Sequence, residues 1–130
     1  MKLVLRMLPL AGALAVYATM AGAADVKEGQ KSFNKCRACH TVGENAKNGV
    51  GPMLNGLFGR KAGTIEGFKY SESNKNSGVV WDEKNFGEYI KDPKAFMPNN
   101  QMTFIGIKND KEIENLTAFL KQYGKDGKKQ

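Results

Sequence analysis

The chain has 130 residues, with 20 Lys and Arg against 13 Asp and Glu, which gives a formal net charge of +7. This length is enough for one domain with its own hydrophobic core. The two cysteines and the single histidine cannot by themselves supply the four ligands of a structural zinc site. The composition therefore indicates one small cationic domain. It excludes a zinc site whose four ligands are all Cys or His.

Residues 1–23 have the features of a secretory signal peptide. Lys2 and Arg6 form a positive start, an apolar run follows, and small residues end at Ala23. The apolar run is shorter than the roughly 20 residues of a membrane-spanning helix, and Pro9 interrupts its start. We therefore predict a signal peptide cleaved near Ala23 and no stable membrane anchor. An uncleaved anchor is the alternative.

The domain predicted to remain, residues 24–130, carries a formal charge of +5. Nucleic acid is not an expected partner for an exported chain. The positive charge indicates acidic docking surfaces on other proteins, and the alternative is that the lysines serve only solubility.

The domain begins with a predicted helix in which Asp25 is the N-cap. Val26, Gly29 and Phe33 lie on one face of this helix, and Cys36 continues that face. Glycine inside a helix costs up to about 1 kcal/mol relative to alanine. Gly29 therefore indicates a close contact with another helix.

Cys36, Cys39 and His40 form a Cys-x-x-Cys-His pattern. Residues three apart on a helical turn point the same way, so both thiols can reach one flat ligand and the imidazole can reach its centre. This is the spacing of covalent haem attachment, with two thioether bonds and histidine as an axial iron ligand. Haem attachment of this kind is completed outside the bacterial cytoplasm. Together with the predicted signal peptide, the motif therefore predicts a periplasmic protein. There are two alternatives. One is a redox dithiol, which usually occurs in a βαβ context, and the other is a zinc site, for which the chain has no clear fourth ligand.

Residues 41–78 contain eight glycines and no sustained apolar period. A loop this long is unusual in a compact domain, but irregular chain can wrap a large flat cofactor. Short helical turns are predicted at 55–58 and at 71–76, with Ser71 as the N-cap of the second. The apolar residues expected to cover the cofactor are Leu54, Leu57, Phe58, Ile65, Phe68 and Tyr70.

A further helix is predicted to start at Asp82, its N-cap, with Trp81 and Phe86 as a hydrophobic staple. The pair at 92–93, Asp-Pro, ends this helix and starts another short one. Pro98 ends that second helix.

The last helix is predicted to run from Asn109 to Gly124, with Glu112 reaching back to the helix N-terminus. The lysine-rich tail after it is expected to fray. The buried face consists of Ile113, Leu116, Phe119 and Leu120.

The chain has no second histidine, so a methionine is the candidate for a second iron ligand. Met53 is close in sequence to His40, and Met97 can lie at a helix end. Met102 follows an irregular stretch, where a side chain can project from the backbone. Met102 is therefore favoured, and Met97 is the alternative.

The sequence resembles the class I c-type cytochromes, specifically mitochondrial cytochrome c and its small soluble periplasmic bacterial counterparts. The order and approximate spacing of the shared motifs agree over essentially the whole predicted mature chain. Beyond the Cys-x-x-Cys-His-Thr motif, the stretches that carry the resemblance are GPMLNGLFGR at 51–60, GFKYS at 67–71, Trp81, DPK at 92–94 and MTF at 102–104.

The resemblance implies an all-α cytochrome c fold, with the N- and C-terminal helices packed together. Short helices and long loops would wrap one haem c, bound covalently through Cys36 and Cys39. His40 and Met102 would be the iron ligands, and the Pro52 carbonyl would hold the other nitrogen of His40. The other implied haem-binding residues, some of which could equally be ordinary core aromatics, are Arg60, Tyr70, Asn74, Trp81, Tyr89 and Phe104.

Asn99 and Asn100 depart from the family pattern, because mitochondrial relatives usually carry Gly-Thr there. Asparagine tolerates a positive φ better than most residues. We therefore expect the turn to be kept and the ligand loop to be looser.

The resemblance implies a monomeric, diffusible carrier of single electrons rather than an enzyme. Its expected partners are a cytochrome bc complex and a terminal oxidase or photosynthetic reaction centre, with dehydrogenases and peroxidases as further possibilities. Lysines expected near the exposed haem edge are Lys35, Lys47, Lys94 and Lys108. The alternatives are a haem enzyme or gas sensor with an open sixth iron position, and a haem-free thiol oxidoreductase.

Overall fold

The structure is a computed structural model that describes residue 12 and residues 22–130. The predicted signal peptide at 1–23 lies almost entirely outside the described residues, so it stays a prediction. In the part of the chain that is described, no helix is both long enough and apolar enough to cross a membrane.

Five α-helices are found within residues 22–130, and the only β-structure there is two isolated bridges. The helices are α1 (Val26–Phe33), α2 (Glu72–Lys75), α3 (Glu83–Lys91), α4 (Pro93–Phe96) and α5 (Asp110–Lys121). The all-α prediction is confirmed.

Each helix begins at the side chain that the sequence predicts as its N-cap. In every case a side-chain oxygen accepts a backbone N–H of the first turn, which satisfies a donor that the helix itself cannot pair. These N-caps are Asp25, Ser71, Asp82, Asp92 and Asn109. Trp81 and Phe86, the predicted hydrophobic staple at the start of α3, are both buried.

The N- and C-terminal helices α1 and α5 pack against each other across Gly29. A Cβ atom at Gly29 would lie 2.0 Å from the Asn115 carbonyl oxygen, so only glycine allows this approach. Beside this contact the ring centroids of Phe33 and Phe119 are 5.2 Å apart. The close helix contact predicted at Gly29 is confirmed.

One hydrophobic core joins α1, α3 and α5 to the intervening loops. Met97, at the end of α4, belongs to this core and is only 3% exposed. In α5 the predicted apolar face is buried, namely Ile113, Leu116, Phe119 and Leu120.

The predicted helical turn at 55–58 is wrong, because this segment forms turns rather than a helix. Gly56 has a φ of +60°, outside the right-handed helical region. The Asn55 amide also bonds a distant loop, accepting from the Gly43 N–H at 2.9 Å and donating to the Gly43 carbonyl at 2.8 Å. The side chain thus joins two loops instead of supporting a local helix.

The predicted return of Glu112 to the start of its own helix is also wrong. Its carboxylate contacts the end of α1 instead, where it accepts from the Ser32 hydroxyl at 3.1 Å and pairs with Lys35. The side-chain cap of α5 is Asn109, whose Oδ1 accepts from the Glu112 N–H at 2.9 Å. Glu112 therefore ties the two terminal helices together.

The tail after α5 is ordered, and the expectation that it frays is wrong. The helix ends at Lys121, three residues before the predicted end at Gly124. The last residue, Gln130, returns to donate its N–H to the Gln122 carbonyl at 2.8 Å, and Tyr123 forms a β-bridge with Lys129. The tail closes on the end of α5 because these backbone groups pair with each other.

Candidate cofactor site

A mainly apolar cavity of about 220 Å³ lies between α2, α3, α5 and the loops. All eleven residues that the sequence and its resemblance single out line this cavity: Cys36, Cys39, His40, Pro52, Arg60, Tyr70, Asn74, Trp81, Tyr89, Met102 and Phe104. Residues separated by up to 68 positions in sequence are thus gathered around one space.

The Cys-x-x-Cys-His motif forms a helical turn directly after α1. The N–H groups of Cys39 and His40 both donate to the Cys36 carbonyl, at 3.0 and 2.9 Å. Both cysteines are free thiols that line the cavity. Burial raises the pKa of Cys36 to about 11. A redox dithiol needs a lowered thiol pKa, so this environment disfavours thiol exchange at Cys36.

The His40 ring is fixed by the loop that follows it. Its Nδ1 atom lies 2.7 Å from the Pro52 carbonyl oxygen, which can only accept, so Nδ1 carries the proton. Burial lowers the pKa of His40, although the bond to Pro52 acts in the opposite direction. A neutral imidazole with a free Nε2 lone pair is the form that binds a metal ion.

Met102 is the one methionine of the described residues that lines the cavity. The Tyr89 hydroxyl donates towards its sulfur, with an oxygen-to-sulfur distance of 3.7 Å. Burial raises the pKa of Tyr89 to about 12, so the phenol stays a neutral donor. Met97, the alternative ligand, is packed into the core instead. The geometry favours Met102.

Two polar groups at the cavity lack the partners that they need. Arg60 donates to the carbonyl oxygens of Met53 and Asn55, both at 3.2 Å, but forms no ion pair with a carboxylate of the described residues. Burial lowers its pKa. Asn74 Oδ1 is buried with no hydrogen-bond partner, and a half-turn of the amide presents Nδ2 in its place.

These unpaired groups fit a haem. A haem is a flat apolar ring with two carboxylates, and the cavity offers apolar walls, a cation without a counterion and a free amide. The two thiols and the neutral imidazole at the same cavity supply the attachment and metal-binding chemistry. The donor set present therefore matches this cofactor.

Some lining residues were missed, and others were placed wrongly. Asn100 and Gln101 line the cavity beside Met102, and the only sequence signal for them was the departure from the family pattern at 99–100. Phe58 and Ile65 were expected to cover the cofactor but do not line the cavity. Phe58 packs edge-on against Phe86 instead, with the ring centroids 5.5 Å apart.

Of the four lysines expected near the haem edge, Lys35 lines the cavity and Lys47, Lys94 and Lys108 do not. Lys35 also pairs with Glu112.

Comparison with known proteins gives consistent results. The family model described as Cytochrome c matches residues 26–124. The chain is similar to a cytochrome c2 of Rhodoplanes tepidamans, with 60% identity over 105 residues that cover 81% of this chain and 98% of the relative. It is also similar to a cytochrome c-550 of Bradyrhizobium diazoefficiens, with 62% identity over 100 residues that cover 77% and 74% of the two chains.

A solved structure, cytochrome cH from Methylobacterium extorquens, has the same fold with a TM-score of 0.72 and 39% identity. The match covers 76% of this chain and 99% of that one. The helical architecture, the cavity and these similarities agree with one another. The chain belongs to the cytochrome c family, and it is accordingly an electron carrier with one covalent haem c rather than an enzyme.

Proposed function

We propose that this chain is a periplasmic carrier of single electrons whose haem iron is held by His40 and Met102. The observation that carries the proposal is the presence of a neutral His40 imidazole and the Met102 thioether in one mainly apolar cavity. His40 and Met102 would both bind the iron, which would leave no open coordination position for a substrate. Electron exchange at the haem edge is then the remaining chemistry.

Cys36 and Cys39 would form the two thioether bonds to the haem, and Pro52 orients His40 through the hydrogen bond to Nδ1. An imidazole that donates to a carbonyl is a more basic ligand. Tyr89 holds the Met102 sulfur, and Phe104 would pack at the haem edge. The polar residues of the cavity that would face the propionates are Arg60, Tyr70, Asn74 and Trp81.

The haem supplies reversible one-electron cycling between Fe(II) and Fe(III). The protein sets its potential through the apolar cavity, which disfavours the additional charge of the oxidised form, and through the axial methionine, which in cytochromes c is known to raise the potential. Arg60 would pair with a propionate and so reduce the negative charge near the iron, which acts in the same direction.

The location and the partners in this proposal rest on the predicted signal peptide and on the charge. The leader at 1–23 directs export, and the domain of 24–130 with its formal charge of +5 then acts as a monomer in the periplasm. Acidic docking surfaces on a cytochrome bc complex and on a terminal oxidase or reaction centre would receive it, and dehydrogenases or peroxidases are further partners. Redox encounters of this kind bury little area and exchange quickly.

The ligand assignment is tested by two matched substitutions, Met102→Leu and Met97→Leu. Both remove one sulfur and keep the volume, which in a core costs less than about 1.5 kcal/mol. We expect Met102→Leu to lose the six-coordinate low-spin visible spectrum and to bind carbon monoxide promptly when reduced. Met97→Leu should keep the native spectrum and stay indifferent to carbon monoxide.

If Met102→Leu keeps the native spectrum, another group is the ligand. If the unmodified reduced protein itself binds carbon monoxide at once at neutral pH, the sixth position is open and the carrier proposal fails. The covalent link is checked separately, because haem should stay with the polypeptide after acid–acetone extraction.

A further inference from the structure

The Asn100 side chain makes three hydrogen bonds that join Met102 to the end of α4. Its Oδ1 atom accepts from the Met102 N–H at 2.9 Å. Its Nδ2 atom donates to the carbonyl oxygens of Pro93 at 2.9 Å and Met97 at 2.8 Å. The Asn100 amide therefore uses both its N–H donors and its oxygen acceptor, and all three partners lie between Pro93 and Met102.

The backbone around Met102 has little other support. Between the Asn100 N–H, which donates to Met97, and the Ile107 N–H, which donates to Ile90, the described residues make no backbone–backbone hydrogen bond. Asn100 Oδ1 is the only protein partner found there for the Met102 N–H. The Gln101 side chain ties the neighbouring residue by donating to the Lys69 carbonyl at 2.8 Å. Asn100 is therefore the one side chain that holds the Met102 N–H itself.

The preceding turn places Asn100 where it can do this. Asn99 has a φ of +63°, the one positive φ among the non-glycine residues that the structure describes. This turn sends the chain back over α4. The Pro93 and Met97 carbonyls already accept the Met97 and Asn100 N–H groups, at 3.0 and 3.2 Å. The Asn100 side chain adds a second hydrogen bond to each carbonyl, so α4 and the ligand loop are joined by the same amide.

We propose that Asn100 is a positioning residue that holds Met102 on the haem iron and limits its replacement by other ligands. The inference rests on the proposed ligation by Met102 and adds to it the group that controls how easily this ligand leaves. It also replaces the expectation of a looser ligand loop, because the residue that departs from the family pattern ties the loop down.

The test measures how strongly imidazole binds to the ferric, haem-loaded protein. Binding is monitored through the loss of the charge-transfer absorption of the iron–methionine bond. Imidazole can bind only when Met102 leaves, so its apparent affinity reports the population of the open form. We expect Asn100→Ala to raise this affinity at least about tenfold, equivalent to about 1.4 kcal/mol. Asn100→Ser keeps a shorter polar group and should give a smaller rise in imidazole affinity. This variant provides the measurement if Asn100→Ala does not fold.

Asn109→Ala is the matched control. Asn109 also accepts one backbone N–H through its side chain, from Glu112 at 2.9 Å, but at the start of α5 rather than beside Met102. We expect this variant to lower the melting temperature while its imidazole affinity stays within about twofold of the unmodified protein.

If the Asn100 variants bind imidazole no better than Asn109→Ala, the role of Asn100 is overturned and the ligation by Met102 is untouched. If Met102→Leu has the same spectrum and imidazole affinity as the unmodified protein, Met102 is not the ligand. The ligation itself then fails, and the role of Asn100 fails with it.

Discussion

Substituting Gly51 by alanine should disturb the His40 ring directly. A Cβ atom at this position would lie 2.3 Å from His40 Cε1 and 2.7 Å from Nδ1, whereas ordinary contacts begin at 3.4 Å. The ring or the loop would have to move by about 1.1 Å to restore a normal distance to Cε1. This glycine therefore allows the loop to pass across the face of the imidazole.

Neither side of this contact can move freely. The ring is held by the 2.7 Å hydrogen bond to Pro52, and Gly51 itself donates its N–H to the Cys39 carbonyl at 2.8 Å. Overpacking of a closely packed region typically costs about 1–3 kcal/mol. We expect Gly51→Ala to lower the free energy of unfolding by about this amount, and each kcal/mol lowers Tm by roughly 4–8 °C in a domain of about this size.

Gly49→Ala is the control, because Gly49 lies in the same loop and its added Cβ would meet only the Cys39 carbonyl oxygen, at 3.6 Å. Thermal and denaturant unfolding of the haem-loaded proteins compare the two variants. Gly51→Ala should be clearly less stable than Gly49→Ala. Equal stabilities would show that the loop yields without cost and that the close packing on His40 does not contribute.

Three further predictions concern other parts of the molecule. The hydrogen bond from Lys35 lowers the pKa of Glu112, so this carboxylate stabilises the fold above its ordinary pKa of 4.5 and the contribution is lost as the pH falls through the lowered pKa. On acidification, Glu112→Gln should therefore lose about 0.2–1 kcal/mol less of its free energy of unfolding than the unmodified protein loses. An unchanged pH profile would contradict this. Deleting residues 125–130 should lower the free energy of unfolding by roughly 1–3 kcal/mol, because backbone hydrogen bonds of the tail are lost, whereas a frayed tail predicts no change in Tm. Raising the ionic strength should slow electron transfer to an acidic partner in stopped-flow measurements, and a salt-independent rate would argue against docking by the lysines.

The helix starts could be predicted from the sequence because they depend on neighbours. An N-cap such as Asp82 bonds an N–H only three residues away, so the partner is fixed by the local chain. The cofactor was predictable for the same reason, since Cys36, Cys39 and His40 lie within five residues. The choice among the methionines could not be made from such a local pattern, because a lone methionine is usually core packing, as Met97 is.

The features that the sequence did not predict depend on partners far along the chain. Glu112 has a helix N-terminus beside it but pairs with Lys35, 77 residues away. Asn55 stands in a segment with apparent helical potential, yet its amide bonds the loop at Gly43. In both cases a local pattern predicted one partner, and tertiary structure brought a better one within reach.

The two sides of the cavity are held in different ways, and this predicts which side opens first. On the His40 side, Gly51 packs against the ring and the Pro52 carbonyl fixes it, so that displacement requires closely packed chain to move. On the Met102 side one bond from Asn100 holds the Met102 N–H, and one bond from Gln101 to the Lys69 carbonyl ties the preceding residue. A neutral hydrogen bond contributes only about 0.5–1.5 kcal/mol net.

Openings of low free energy precede global unfolding. On the proposed ligation, the iron–methionine absorption should therefore disappear at a lower denaturant concentration than the helical circular dichroism signal. Coincident transitions would show that the ligand loop is as stable as the packed helices, and the single bond from Asn100 would then not be the weak point of the site.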